Sequence, residues 1–472
     1  MSGSSLALAS KLPSAGVLVA AAALAVVVIG ALVVVMRRHE DAFALLAVLA
    51  LPFRVPISSG GRTVNLLVPL YLVVAAGAVA YLLPALLQAW RDRRTGALRL
   101  PRPRRELAFW GTPAGMTWLL GASVLLYALQ TTYSSDAAKG GENLLVFYLP
   151  FAVLFVLLSM VNWRRELLLR CLGIVVAEAV LFAGVGFVEY ARKSLFLNPK
   201  VVAANEFDNY FRVNSVFFDP SIYGRFLALV MIAVSTVVLW TAKRRVVVAG
   251  ACVLAWLLAG LVTSFSQSSI AALLLGLAVL GGWRYGLRAT LITATAVLVL
   301  GLAVLLAAPK GLHFGLKGSS GSTSNATSGR STLIEGGLKL FAKRPLQGYG
   351  SGSFETEYRQ VSQTTNQNAV SASHTIPVTI SAEQGIVGLA MYVALLASAF
   401  AVMFTGAGRS PPRIAIAACF AALVLHTWTY ADFLEDPFTW TLLAVGAALA
   451  RGTGPPPWAP ASATVEAQAV GS

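Results

Sequence analysis

The sequence is poor in charge. Only 12% of its 472 residues are Asp, Glu, Lys or Arg, about half of the roughly 25% typical of a soluble domain. Hydrophobic residues make up 57%, more than a water-soluble fold of this length can bury, so soluble enzymes and soluble binding modules are excluded. Cysteine is scarce as well. Cys171, Cys252 and Cys419 each fall inside an apolar run and behave as small buried hydrophobes, so neither a disulfide framework nor a cysteine metal cluster is implied. There are only four histidines, and no fixed-period repeat that would point to a solenoid. No metal and no cofactor is expected.

Acidic residues are also in short supply, 20 against 36 Lys and Arg, for a formal net charge of +16. In a soluble chain that excess would point to nucleic acid. Here the densest basic block, WRDRRTGALRLPRPRRE with Arg91 to Arg105, lies between two apolar runs, where positive charge marks the cytoplasmic side of a membrane. A nucleic-acid partner is therefore not expected; membrane lipids are.

What is present is a series of apolar runs near the roughly 20 residues needed to cross a bilayer. They lie at about 15–36, 42–57, 65–89, 109–130, 144–161, 166–189, 219–240, 246–264, 269–283, 288–308, 385–405, 412–430 and 437–450. The second is the weakest, because Pro52, Arg54 and Pro56 fall in its last turns. The expected fold is an all-α polytopic membrane protein of 12–13 transmembrane helices. The segment before the first run, MSGSSLALASKLPSAG, leads into an apolar stretch too long for a cleaved signal peptide.

With 88–108 taken as cytoplasmic, alternation puts Arg164 and Arg165, Lys243 to Arg245, Arg284 and Arg288, and Arg409 and Arg413 on the same side. The opposite loops at 131–143, 264–268 and 431–436 carry one basic residue, Lys139. This predicts a multi-pass protein of the cytoplasmic membrane with a cytoplasmic C-terminus. The expected organisation is transmembrane helices over 1–309 with an outer loop at 191–218, one long extracytoplasmic loop over 310–384, C-terminal transmembrane helices over 385–450, and a cytoplasmic tail over 451–472 expected to be disordered.

The long loop begins with KGSSGSTSNATSG, a flexible composition. From Thr332, TLIEGGLKLFAKRP predicts a short helix, with Thr332 and Glu335 in capping-box spacing, Ile334, Leu338 and Phe341 on one face, and Pro345 ending it. LQGYGSGSF then places glycines at alternate positions, where the backbone can approach another chain or a ligand closely. It is no nucleotide loop, since it lacks a preceding strand and a Lys-Ser/Thr ending. Another helix is expected to start near Pro377 and run into the span at 385.

Chemically capable groups gather on the outer side. Arginines that converge there suit a diphosphate, because the guanidinium fork matches phosphate oxygens. Arg212, Arg225 and Arg330 are the candidates. Arg225 sits inside an apolar run, where a charge pairs or lines a cavity, so it either touches ligand or pairs with Asp219 or another carboxylate. His374, just before the re-entry at Pro377, suits a general base near neutral pH, or a capping or packing role. Glu383, nine residues on, falls on the opposite helical face and is read as capping or holding the start of the span at 385, or as contacting substrate separately. The hairpin SerGlnSerSer at 266–269 could line a headgroup cavity. In the acidic turn of Asp432, Glu435 and Asp436, one carboxylate could orient the arginines. His313 and His426 lack a motif and default to structure.

The ordered set RVNSVFFDPSIYGRFLAL, RSTLIEGGLKLFAKRPLQGYGSGSF and HTIPVTISAEQGIVGL resembles the O-antigen ligase and O-antigen polymerase superfamily over roughly residues 42–450. The resemblance implies a fold like the C-type membrane glycosyltransferases. It also implies an enzyme that moves a glycan from an undecaprenyl-diphosphate carrier to a glycan or lipid-linked acceptor at the outer membrane face, in cell-surface polysaccharide synthesis, without a metal. It gives Arg212 and Arg330 the donor diphosphate and His374 the acceptor hydroxyl; Asp219, Glu383 and Asp432 are possible supporting residues from their placement alone. Asp219 stands where asparagine is common in that family, and the 266–269 hairpin lacks the family's arginine. Ligases and polymerases share these blocks. The alternative from another class is a lipid-linked sugar flippase or other polytopic transporter, which would favour ionisable groups at mid-bilayer.

Overall fold

The computed structural model describes residues 15–59, 62–94, 107–196, 211–293, 295, 330–362 and 375–452. It is an all-α polytopic membrane protein: ten helices among the described residues are long and apolar enough to cross a bilayer. The chain divides into two compact units, Met1–Arg99 and Leu100–Ser472.

In the first unit α1 (Ala15–Arg38) and α2 (Ala42–Ala50) precede a two-stranded antiparallel hairpin of β1 (Val55–Ser59) and β2 (Arg62–Leu66). Then α3 (Val68–Gly77) passes through a π-helical turn at Ala78–Leu82 into α4 (Leu83–Arg94). The Tyr81 hydroxyl donates to the Met36 carbonyl at 2.7 Å and ties that turn to the end of α1. The run at 42–57 does not span. Its helix stops after 9 residues, because Pro52 and Pro56 lack the amide protons that helix continuation requires, and Pro56 is accommodated in a hairpin strand instead.

The second unit contains α5 (Leu107–Trp110), α6 (Pro113–Thr131), and α7 (Ala137–Asn143), which runs through a π turn at Leu144–Tyr148 into α8 (Leu149–Met160). There follow α9 (Arg165–Arg192), α10 (Pro220–Trp240), α11 (Arg244–Thr263), α12 (Gln267–Tyr285), α13 (Arg330–Lys343), α14 (Phe354–Ser362), α15 (Ile376–Phe404), α16 (Pro411–Thr429) and α17 (Pro437–Arg451). The run at 288–308 is helical over 287–293 and otherwise lies almost wholly outside the described residues. The last run forms α17, only 15 residues, or about 22 Å at the α-helical rise. These two runs and the one at 42–57 account for the difference between thirteen runs and ten candidate spans.

Three helix starts share one local pattern: an oxygen-bearing cap followed by proline in the first turn. Thr112 accepts from the Gly115 amide, Asp219 from Ser221 and Asp436 from Phe438, and Pro113, Pro220 and Pro437 follow directly. The cap satisfies a free amide, and proline has none to lose. The core centres on α10, most of whose apolar length is buried against α9, α11, α12 and α16. Lipid is as apolar as these side chains, so close packing holds the helices together, which favours small residues at the contacts. A Cβ on Gly276 of α12 would lie 2.2 Å from the Ile232 Cδ1 of α10, and one on Gly260 of α11 would lie 2.9 Å from the Tyr223 hydroxyl.

At one end of this unit, basic side chains close helix ends. Arg284 donates to the Leu239 carbonyl, Arg413 to those of Val402 and Thr405, and Arg451 to that of Ser159. The described parts of the long polar connections, 211–219 and 330–362, lie at the other end.

Candidate functional site

The 211–219 loop is built onto the end of α9. The Glu189 carboxylate accepts from the Ser215 amide at 2.7 Å and from the Phe196 amide at 3.0 Å. Ser215, at φ 53°, donates its hydroxyl to the Phe182 carbonyl. The Val213 amide reaches the Thr263 carbonyl, and Arg212, half-buried, donates from Nε to the Ser264 carbonyl at 3.3 Å. Arg212 is thereby fixed beside the hairpin between α11 and α12.

Arg225 makes an ion pair, with a carboxylate other than Asp219. Its Nη2 lies 3.1 Å from Asp436 Oδ2, and each side chain is only 1% exposed. Asp436 also caps α17, so one carboxylate links the start of α17 to α10. Asp219 caps its own helix, accepting from the Ser221 amide at 2.6 Å. It also lies against the Tyr430 hydroxyl, whose pKa is raised first by burial and further by Asp219 and Asp432, so Tyr430 stays protonated and donates to Asp219.

The serines of the 266–269 hairpin are packed inward. Ser266 Oγ bonds Ser269 Oγ at 2.8 Å, His426 Nε2 lies 3.3 Å from Ser268 Oγ and 3.2 Å from Ser269 Oγ, and Ser269 Oγ donates to the Ser221 carbonyl. His426 is fully buried, a structural histidine that draws α10, α12 and α16 together.

In the long loop, α13 begins at Arg330, two residues before Thr332, so Thr332 lies inside the first turn rather than at a capping box. Glu335 instead pairs with Lys339 at 2.7 Å on the surface, which lowers its pKa by hydrogen bond and charge. The buried face is also different from the expected one: Leu333, Gly336, Gly337 and Leu340 are buried and Leu338 is half exposed. The two glycines decide this. A Cβ on Gly336 would lie 2.3 Å from Tyr358 of α14, and one on Gly337 would lie 2.5 Å from Val378 of α15. Arg330 is placed by its backbone as the first residue of α13; its side chain lies outside the described residues.

The glycine loop approaches other backbone segments as its composition predicts. Gly348, Gly350 and Gly352 have φ of 67°, 93° and 79°, conformations that side-chain-bearing residues resist. A Cβ on Gly348 would meet the Glu383 carbonyl at 2.3 Å, and one on Gly350 would meet Ser134 Cα at 2.3 Å. Gly385 answers from α15: it breaks the helix at φ 64°, and its Cβ would meet the Leu346 carbonyl at 2.3 Å. The Ile386 amide donates to the Pro345 carbonyl at 2.7 Å and the Gly350 amide to the Glu383 carbonyl at 2.8 Å. Glu383 does cap a helix, but not its own. Its carboxylate accepts from the Gly352 and Phe354 amides at 2.9 and 3.0 Å, at the start of α14, where a negative charge is favoured. α14 itself carries a helical period, with Phe354, Tyr358 and Val361 on the face that packs inward, but nothing local signals its partnership with Glu383.

Beneath the glycine loop lies a cavity of about 240 Å³, lined by α6, α7, the start of α15 and the 431–435 turn. Asp432, at φ 71°, Glu383, Glu435, Asn143 and Lys139 are in its wall. His374 lies outside the described residues. Its neighbour Thr375 donates its hydroxyl to the Trp428 carbonyl at 2.8 Å, and Ile376 lines the cavity. The structure thus brings Arg212, Asp219, Arg225, the start of α13, Glu383 and Asp432 to one end of the unit. Among these, Glu383 and Asp432 line the cavity and the described arginines do not.

Comparison with known proteins adds one match. Residues 251–393 fit the family model described as O-Antigen ligase, an interval that runs from within α11 into α15 and contains Arg330, the glycine loop and Glu383. No curated protein matches the chain.

Proposed function

We propose that this chain, which belongs to the O-antigen ligase superfamily through residues 251–393 and is a membrane enzyme of the O-antigen ligase or polymerase type, transfers a glycan from an undecaprenyl-diphosphate carrier to a glycan or lipid-linked acceptor. The basic end of the helix bundle faces the cytoplasm by the positive-inside rule. The polar end faces outward, and the C-terminus lies inside. The observation that carries the reading is the fold of the matched interval: α13, the glycine loop and the first turns of α15 close onto the same end as the 211–219 loop and the 429–436 turn.

Arg212 and Arg330 hold the donor diphosphate through bidentate guanidinium contacts. His374 accepts the proton of an acceptor sugar hydroxyl. The freed oxygen attacks the anomeric carbon as the bond to the diphosphate breaks, its electron pair leaves with the diphosphate, and configuration inverts. Positive charge at the arginines stabilises the leaving group as it gains charge. Arg225 acts by position: with Asp436 it fixes α10 to the turn beside the site. Asp219 does the same through Tyr430.

The test is glycan transfer in membranes carrying single Arg330→Ala and His374→Ala variants at normal protein levels. Loss of the base is expected to cost about 10²–10⁴-fold. Full activity in both variants contradicts the mechanism, and carrier movement across liposomes without bond formation would identify a transporter instead.

A further inference from the structure

We infer that the cavity beneath the glycine loop is the acceptor subsite, and that it takes a single neutral or amino-bearing pyranose ring in preference to a uronic acid. This rests on the transfer reaction proposed above. A volume of about 240 Å³ falls below the roughly 300–1,000 Å³ of pockets for larger ligands, which suits one sugar ring, the rest of an acceptor chain lying outside the cavity.

The wall has the two kinds of surface that a sugar needs. The wall holds aromatic side chains for an apolar ring face: Phe147, Tyr392 and Phe433, the last two edge-on at 5.4 Å, backed by Tyr127 and Tyr148, which stack on each other at 4.0 Å. Hydroxyls meet amides and carboxylates. Asn143 is 5% exposed; its Nδ2 donates to Glu435 Oε1 at 3.0 Å and to the Tyr127 hydroxyl at 3.2 Å, whereas its Oδ1 is buried with no hydrogen-bond partner. A buried amide oxygen left in this state is costly, and a ligand hydroxyl donated to it removes the cost. This oxygen lies in the same wall as four carboxylates, Glu355, Glu383, Asp432 and Glu435.

Charge sets the preference. Of those four carboxylates Glu355 is ion-paired with Arg359, and the wall's one cation, Lys139, is itself paired with Glu142 at 3.5 Å, which leaves Glu383, Asp432 and Glu435 facing the cavity without a cation in its wall to offset them. An anionic sugar would enter against like charge, whereas a neutral or protonated amino sugar would not. Position supplies the link to the reaction. Ile376, two residues beyond His374 in the chain, is part of the wall, so a ring in the cavity lies against the start of α15.

The test is ligand-detected NMR titration of the full-length protein in detergent with methyl glucoside, methyl glucosaminide and methyl glucuronide. The first two are expected to bind, and the glucuronide about tenfold or more weakly, the factor that corresponds to one like-charge contact of about 1.4 kcal/mol. Asn143→Leu is expected to weaken glucoside binding about tenfold, the effect of one lost hydrogen bond to a buried acceptor. Glu435→Gln keeps the acceptor for Asn143 and, with Asp432→Asn at the lip, should narrow the gap between glucoside and glucuronide; both are near-isosteric, and thermal unfolding verifies that they fold. Glu335→Gln, on the exposed face of α13, is the control.

Absence of sugar binding, equal binding of the glucuronide, or indifference to Asn143→Leu in folded protein would overturn the subsite. His374→Ala separates this inference from the reaction. Lost transfer with retained sugar binding supports both, whereas retained transfer with retained binding overturns the reaction and leaves the cavity a sugar site.

Discussion

Two polar regions share one end of the second unit and are built by opposite means. The region around Arg212 and Arg225 is held by buried side chains: Glu189 under the 211–219 loop, Asp436 against Arg225, His426 against the serine hairpin. The region around the cavity is held by backbone against backbone. Glycines at 348, 350 and 385 remove the side chains that would keep the strands of chain apart. In the first, two matched groups could be exchanged together for another matched pair. In the second there is nothing to exchange, because the contact exists only where no Cβ does.

That contrast predicts a graded set of stability effects, each measured by thermal unfolding of detergent-solubilised protein. Arg225→Ala leaves the buried Asp436 carboxylate without its counter-charge and should cost about 3–5 kcal/mol, while Arg225→Met combined with Asp436→Asn, which keeps the cap of α17, should recover most of it. Gly350→Ala and Gly385→Ala should each cost about 1–3 kcal/mol from left-handed backbone alone, with more from the displaced neighbour and no rescuing partner. Failure of the arginine double variant to recover, or recovery of a glycine variant by a single second change, would erase the distinction. Glu383→Gln keeps one of the two acceptors at the start of α14 and turns an amide NH2 toward the other backbone N–H, so about 1–3 kcal/mol is expected. Glu335→Gln, on an exposed pair, should leave unfolding unchanged.

Much of this architecture was legible because it is local. Apolar runs gave the spans, Asp219-Pro220 and Asp436-Pro437 gave helix starts, and the alternating glycines of 348–352 gave the close backbone approach. What is not legible has one physical origin: the partner is distant in sequence. Nothing near Arg225 names Asp436, and a carboxylate six residues away was the nearer candidate. Glu383 caps a helix some thirty residues before it, which no capping spacing can reveal. The buried face of α13 turned from Ile334, Leu338 and Phe341 to Leu333 and Leu340, because Gly336 and Gly337 let Tyr358 and Val378 come closer than any side chain at those positions would allow. His426 carried no motif, and only its contact with Ser268 and Ser269 shows its role.

The most direct measurement of the central claim is a cryo-electron microscopy structure of the full chain in lipid with undecaprenyl diphosphate bound. The account predicts the diphosphate at the polar end of the bundle, within hydrogen-bonding distance of the guanidinium groups of Arg212 and Arg330, with the His374 imidazole facing the space between the diphosphate and the cavity beneath the glycine loop. A diphosphate seated at the basic end of the bundle, or at the polar end with neither arginine touching it, would contradict it.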